Sequence, residues 1–201
     1  MFLKRLITYP TLRTGFGISR NLPFAYAKYG TMKNDSVSQN PEDLELKEKA
    51  HRFQLEASEM LEKGKVDEAL DLYTRANQLY PSGSLLYNIA NCAYQKGDID
   101  GAIDHWEQSA KLMPSESDVH VNLANVYYLN KKNPKLALEH LKIASSLSPK
   151  DGEVSFNYGC ILEATGNLKD ALGQYKSALE NGIARAETNI RNVSIKLFKK
   201  Q

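Results

Sequence analysis

The sequence has no apolar run of the roughly 18 residues that a membrane-crossing helix needs, so no transmembrane helix is expected. Cysteine is scarce. Cys92 and Cys160 are the only two, they fall on separate expected helices, and neither a Cys-x-x-Cys motif nor a disulfide between them is expected. Histidine is scarce too: His51, His105, His120 and His140 lack the spacing of a zinc-binding helix, and a metal site needs more ligands than two of them could supply. There is no glycine-rich phosphate loop and no Gly-x-Ser-x-Gly elbow. These gaps argue against an enzyme and against a cofactor or resident metal.

Acid is missing from one region only. Residues 1–34 carry Lys4, Arg5, Arg13, Arg20, Lys28 and Lys33 and no carboxylate, so the formal charge of +2 hides a basic leader on a body with 20 basic and 24 acidic residues. Residues 1–28 look like a mitochondrial transit peptide, or the same segment retained as an extension. They combine basic and hydroxyl residues with Phe2, Leu3, Leu6 and Ile7 on one helical face. Such a segment is drawn to anionic membrane surfaces, which leaves peripheral contact through the N-terminus open. Residues 29–41 are polar and read as a linker. Asn40 and Pro41, followed by Glu42 and Asp43, then mark the start of a helix.

What is present in abundance is repetition. The stretch Asn122-Leu123-Ala124-Asn125-Val126-Tyr127-Tyr128 has a counterpart in Asn88-Ile89-Ala90-Asn91-Cys92-Ala93-Tyr94. A further one is Asn157-Tyr158-Gly159-Cys160-Ile161-Leu162, and Asn189-Ile190-Arg191-Asn192-Val193 is a weaker echo. A period of about 34 residues is the mark of stacked helix pairs. Small residues recur where two backbones must approach, large residues where a gap must be filled, glycine at the tight turn and proline after the second helix. The first unit has Ala57, Gly64, Ala69, Tyr73, Ala76 and Pro81; the second has Ala90, Gly97, Ala102, Trp106, Ser109 and Pro114. The third has Ala124, Ala137, Leu141, Ala144 and Pro149, with Lys131-Lys132-Asn133-Pro134 in place of the turn glycine and one residue longer. The fourth has Gly159, Gly166, Ala171, Tyr175 and Ala178, with Ile183 in the proline's place.

On these residues the body resembles tetratricopeptide repeats over about residues 45–183. The resemblance implies an all-α, right-handed α-solenoid of about four helix pairs spanning 42–183 (repeats about 50–81, 83–114, 117–149 and 152–183). Residues 184–201 would form a C-terminal capping helix, with an apolar stripe of Ile183, Ala186, Ile190, Val193 and Leu197. In that family the first helix of each pair lines a concave groove. Asn88, Asn122 and Asn157, with Asn189 extending the row and Asn91 and Asn125 one turn further on, would then face a partner. A carboxamide offers two donors and an acceptor and can bracket a peptide unit without reading its side chain. The row resembles the asparagine ladder in the repeat domain of O-GlcNAc transferases. The same asparagines could instead serve hydrogen bonding between repeats. Tyr87, Tyr94, Tyr128 and Phe156 would add aromatic surface to the groove or pack inside it.

Repeat domains that grip the acidic C-termini of chaperones use a lysine and arginine clamp. The corresponding places here hold Gln54, Tyr87, Asp118, Glu153 and Asn157, so a chaperone tail is not the expected partner. The expectation is a non-enzymatic, mitochondrial protein-binding scaffold in the matrix or at the inner membrane. It would be an assembly factor or accessory subunit of a respiratory or ribosomal complex, holding an extended partner segment. The alternative is an organellar RNA-binding protein of the pentatricopeptide type, against which the acidic body argues.

Overall fold

The computed structural model describes residues 40–199. The expected leader at 1–28, linker residues 29–39 and residues 200–201 lie outside the described residues. Within them the fold is all-α, with nine helices and no strand. They are α1 (Pro41–Glu62), α2 (Val66–Leu79), α3 (Gly83–Gln95), α4 (Ile99–Leu112), α5 (Ser117–Leu129), α6 (Pro134–Leu147), α7 (Gly152–Ala164), α8 (Leu168–Glu180) and α9 (Ala186–Phe198).

Local sequence explains the helix starts. Asn40 accepts from the Glu42 amide at 3.1 Å, and Pro41 occupies the first turn, where its missing N–H costs nothing. Ser82, Asp98, Asn133 and Asp151 cap α3, α4, α6 and α7 in the same way. Within three of the pairs the turn is made by a glycine in the left-handed region: Gly64 at φ 74°, Gly97 at φ 86° and Gly166 at φ 83°. In the third pair the longer connection places Lys132 there, at φ 54°. An L-residue with a Cβ is strained in that region by about 1–2 kcal/mol. Its ammonium donates to the Leu129 carbonyl at 2.6 Å. Lys132→Gly is therefore expected to stabilise the chain by about 0.5–1 kcal/mol, net of the extra freedom glycine has when unfolded. A melting temperature that stays put or falls would show that this turn is not strained.

The described residues divide into two compact units, 40–114 and 115–199. In the first, α1 packs on α2, α2 on α3 and α3 on α4. Its core joins Ala50, Ala57, Ala69, Leu72, Tyr73, Ala76, Leu85, Ile89 and Cys92. In the second, α5 packs on α6, α7 on α8, and α9 closes on α8. Its largest core joins Phe156, Leu162, Leu168, Ala171, Tyr175, Ala178, Ala186 and Val193. The crossings are tight because the residues there are small. Ala57, Ala69, Ala90, Ala102, Ala124, Ala137 and Ala171 are fully buried, and a Cβ added at Gly159 would stand 2.8 Å from the Tyr175 ring. On α9, Ala186 and Val193 face the core, while Ile195 and Phe198 are exposed on the opposite side.

Candidate partner-binding site

The first helices of the pairs carry the asparagines and aromatics singled out in the sequence, and the structure sets them at different depths. On α3, Asn88 and Tyr94 are half-buried, while Tyr87 and Asn91 are buried. The Asn91 carboxamide accepts from the Trp106 indole N–H at 3.1 Å, and Tyr94 is tilted against the same indole with ring centres 5.7 Å apart. Trp106 has no exposed surface, so its N–H needs an internal acceptor, and Asn91 supplies it.

On α5, Asn122 is fully buried and Asn125 is 8% exposed. Tyr128, two residues past Val126, is half-buried, and burial pushes its hydroxyl pKa upward, so it stays a neutral donor. On α7, Asn157 is half-buried. Phe156 is buried, tilted against Tyr175, and covered by the Arg185 guanidinium 4.3 Å above its ring. Asn189 on α9 is buried. Of the aromatics, Tyr87 and Phe156 are thus packing residues, and Tyr94 and Tyr128 keep an open edge.

Charge at this surface is already paired. Arg185 bonds Glu153, and Lys196 bonds Glu163 at 2.6 Å, where Glu163 also accepts from the Tyr175 hydroxyl at 2.8 Å. This chain of bonds ties α7, α8 and α9 together. His140 stacks on Tyr127 with ring planes 7° apart, and its Nδ1 lies 3.1 Å from that of His120, whose pKa burial pushes down. Among the described residues no three His, Cys, Asp or Glu side chains group as a metal site. Both cysteines are free, and burial raises the Cys92 thiol to about 12 and the Cys160 thiol to about 11, far from a reactive thiolate.

The sequence reading missed the bonds that span the first two pairs. Ser58 meets the Tyr73 hydroxyl at 2.9 Å, as Asn91 meets Trp106, both 15 residues apart. The signal was available: a polar residue directly after the small crossing residue, and a large residue with a polar atom at that fixed separation.

A stack of helix pairs with small crossing residues and a neutral, amide-bearing first helix defines a helical-repeat interaction domain. Residues 90–131 match a TPR repeat model and residues 126–186 a tetratricopeptide repeat model. Over residues 90–186 the chain thus matches tetratricopeptide repeats. No curated protein sequence matches it. Among solved structures it resembles YrrB, described as a TPR protein with an unusual peptide-binding site, at 25% identity over 77% of this chain and 81% of that one, with a TM-score of 0.65. MamA from Desulfovibrio magneticus RS-1 shares the fold at 18% identity over 75% of this chain and 92% of its own, TM-score 0.61. The first TPR domain of Spaghetti (RPAP3), solved with the HSP90 peptide SRMEEVD, does so at 22% identity over 58% and 93%, TM-score 0.54.

Proposed function

We propose that this protein is a non-enzymatic scaffold that holds an extended segment of a partner protein against the first helices of its pairs. The observation that carries the reading is the neutral character of the first helices in each unit taken by itself: half-buried Asn88 and Tyr94 in the first, half-buried Tyr128 and Asn157 in the second. Amides and tyrosines of this kind suit a peptide backbone, with aromatic area at low entropic cost and donors and acceptors without charge. YrrB, with its peptide-binding site, is similar enough in sequence to support the comparison. A chaperone tail fits poorly: a terminal carboxylate wants cations, and Arg185 and Lys196 are already paired with carboxylates.

The acid-free basic leader supports import into mitochondria and a role as assembly factor or accessory subunit of a respiratory or ribosomal complex. A reporter carrying residues 1–40 is expected to enter mitochondria only while the membrane potential stands; diffuse cytosolic signal would contradict the import. For the binding itself, the full chain is offered a displayed library of random dodecapeptides. Recovered peptides are expected to bind with little loss as salt rises, since no charge pair carries the contact. Binding of a random single-stranded RNA that collapses steeply with salt, with no peptide recovered, would favour the nucleic-acid reading instead.

A further inference from the structure

A repeat array stays soluble when the helix at each end turns a polar face outward. The two end helices of the described residues depart from this. On α9, Arg191, Ile195 and Phe198 follow one another at steps of four and three and so share one face, with Lys199 one turn on from Ile195. Ile195 is 50% and Phe198 80% exposed, while Ala186 and Val193 of the same helix are buried in the core. On α1, Leu44, Glu48, His51, Leu55, Glu59 and Glu62 follow one another at the same steps, and all six are exposed. Leu44 is 51% and Leu55 42% exposed. Apolar side chains gathered on one face and rimmed by charge mark a contact surface, which scattered single ones do not. The two faces are opposite in charge. The α1 stripe holds three carboxylates and no lysine or arginine, and the α9 stripe holds two cations and no acid. Glu59 has Lys63 at 3.8 Å, a loose pair open to solvent and of little worth.

We propose that α9 of one copy of this chain docks on α1 of a second copy, with Ile195 and Phe198 seated on the α1 leucines and Arg191 and Lys199 meeting its carboxylates. Steps of three and four are the seam along which two helices pack side by side. Arg191 and Lys199 stand one turn to either side of Ile195. Glu48 stands two turns before Leu55 and Glu59 one turn after it. A cation therefore reaches a carboxylate whichever way the two helices run. A second copy is the occupant because the chain itself supplies the face of opposite charge. The two faces differ, so the contact is head to tail and passes from copy to copy unless a ring closes it. It stands apart from the peptide reading, since neither stripe includes Asn88, Tyr94, Tyr128 or Asn157.

The test follows the mass of the full chain by sedimentation velocity from micromolar to millimolar concentration. The wild-type chain is expected to pass from monomer to larger species as concentration rises. Ile195→Ser with Phe198→Ser removes the α9 face, and Leu44→Ser with Leu55→Ser removes the α1 face. These residues are exposed, so both double variants are expected to keep the wild-type melting temperature and to stay monomeric. Mixed in equal amounts, the two variants are expected to form a one-to-one pair and nothing larger, since each lends the one face it has left. Should a serine variant not fold, charge reversal decides. Arg191→Glu with Lys199→Glu is expected to abolish the association, and Glu48→Lys with Glu59→Lys in the same chain to restore it. A wild-type chain that is monomeric at millimolar concentration would overturn the proposal, as would a mixture of the two serine variants that does not pair. Association lost with the α1 face but kept without the α9 face would also overturn it, and would put the basic leader of residues 1–34 on α1 instead.

Discussion

Trp106→Ala is expected to destabilise the first unit by about 3–5 kcal/mol, lowering its melting temperature by more than about 10 °C. The indole is fully buried. Tyr94 leans on it from α3 with ring centres 5.7 Å apart, and Asn91 accepts its N–H. Truncation leaves a cavity and an unmet acceptor together, and the two costs act in the same place. Trp106→Phe should recover most of the packing but not the bond, and fall between the two. A melting temperature within a few degrees of wild type for Trp106→Ala would mean that this residue does not fill the pair.

Gly159→Leu is expected to cost the second unit about 3 kcal/mol or more, at the upper end of overpacking. The first added carbon would already stand 2.8 Å from Tyr175. Tyr175 cannot step aside freely, because its hydroxyl donates to Glu163, which is held in turn by Lys196 on α9. The α7–α8 crossing has to open, and the α9 residues packed on the same core, Ala186 and Val193, lose their seat. The double variant Gly159→Leu with Tyr175→Ala should be less damaged than the two single effects added, since each change makes room for the other. Strict additivity, measured by urea unfolding, would place the strain elsewhere.

The repeat frame was legible because sterics at a helix crossing admit few residue types: Ala57, Ala90, Ala124 and Gly159 announce themselves by size. The turn glycines were legible for a similar reason, through the backbone conformation they permit. Lys132 was not, because nothing in a lysine signals a left-handed turn; only the missing glycine and the longer connection marked the place. For the candidate site, periodicity gives the face of a helix but not the depth of each residue. Asn88 and Asn122 hold equivalent places in the sequence, yet one is half-buried and the other has no exposed surface. Asn91 and Asn125 also look alike on the first helix. They differ because the second helix brings Trp106 to one and Leu141 to the other, a distinction readable only by looking along the chain to the residue each will meet.

The claim that the first helices hold the partner is tested most directly by site-specific photocrosslinking. A photoreactive phenylalanine analogue is placed singly at Tyr94 or Tyr128 on the first helices, or at exposed Leu112 or Ile143 on the second. A peptide recovered by the full chain is expected to crosslink from Tyr94 or Tyr128 and not from Leu112 or Ile143. Crosslinks from Leu112 or Ile143, with Tyr94 and Tyr128 silent, would contradict it and place the partner on the second helices.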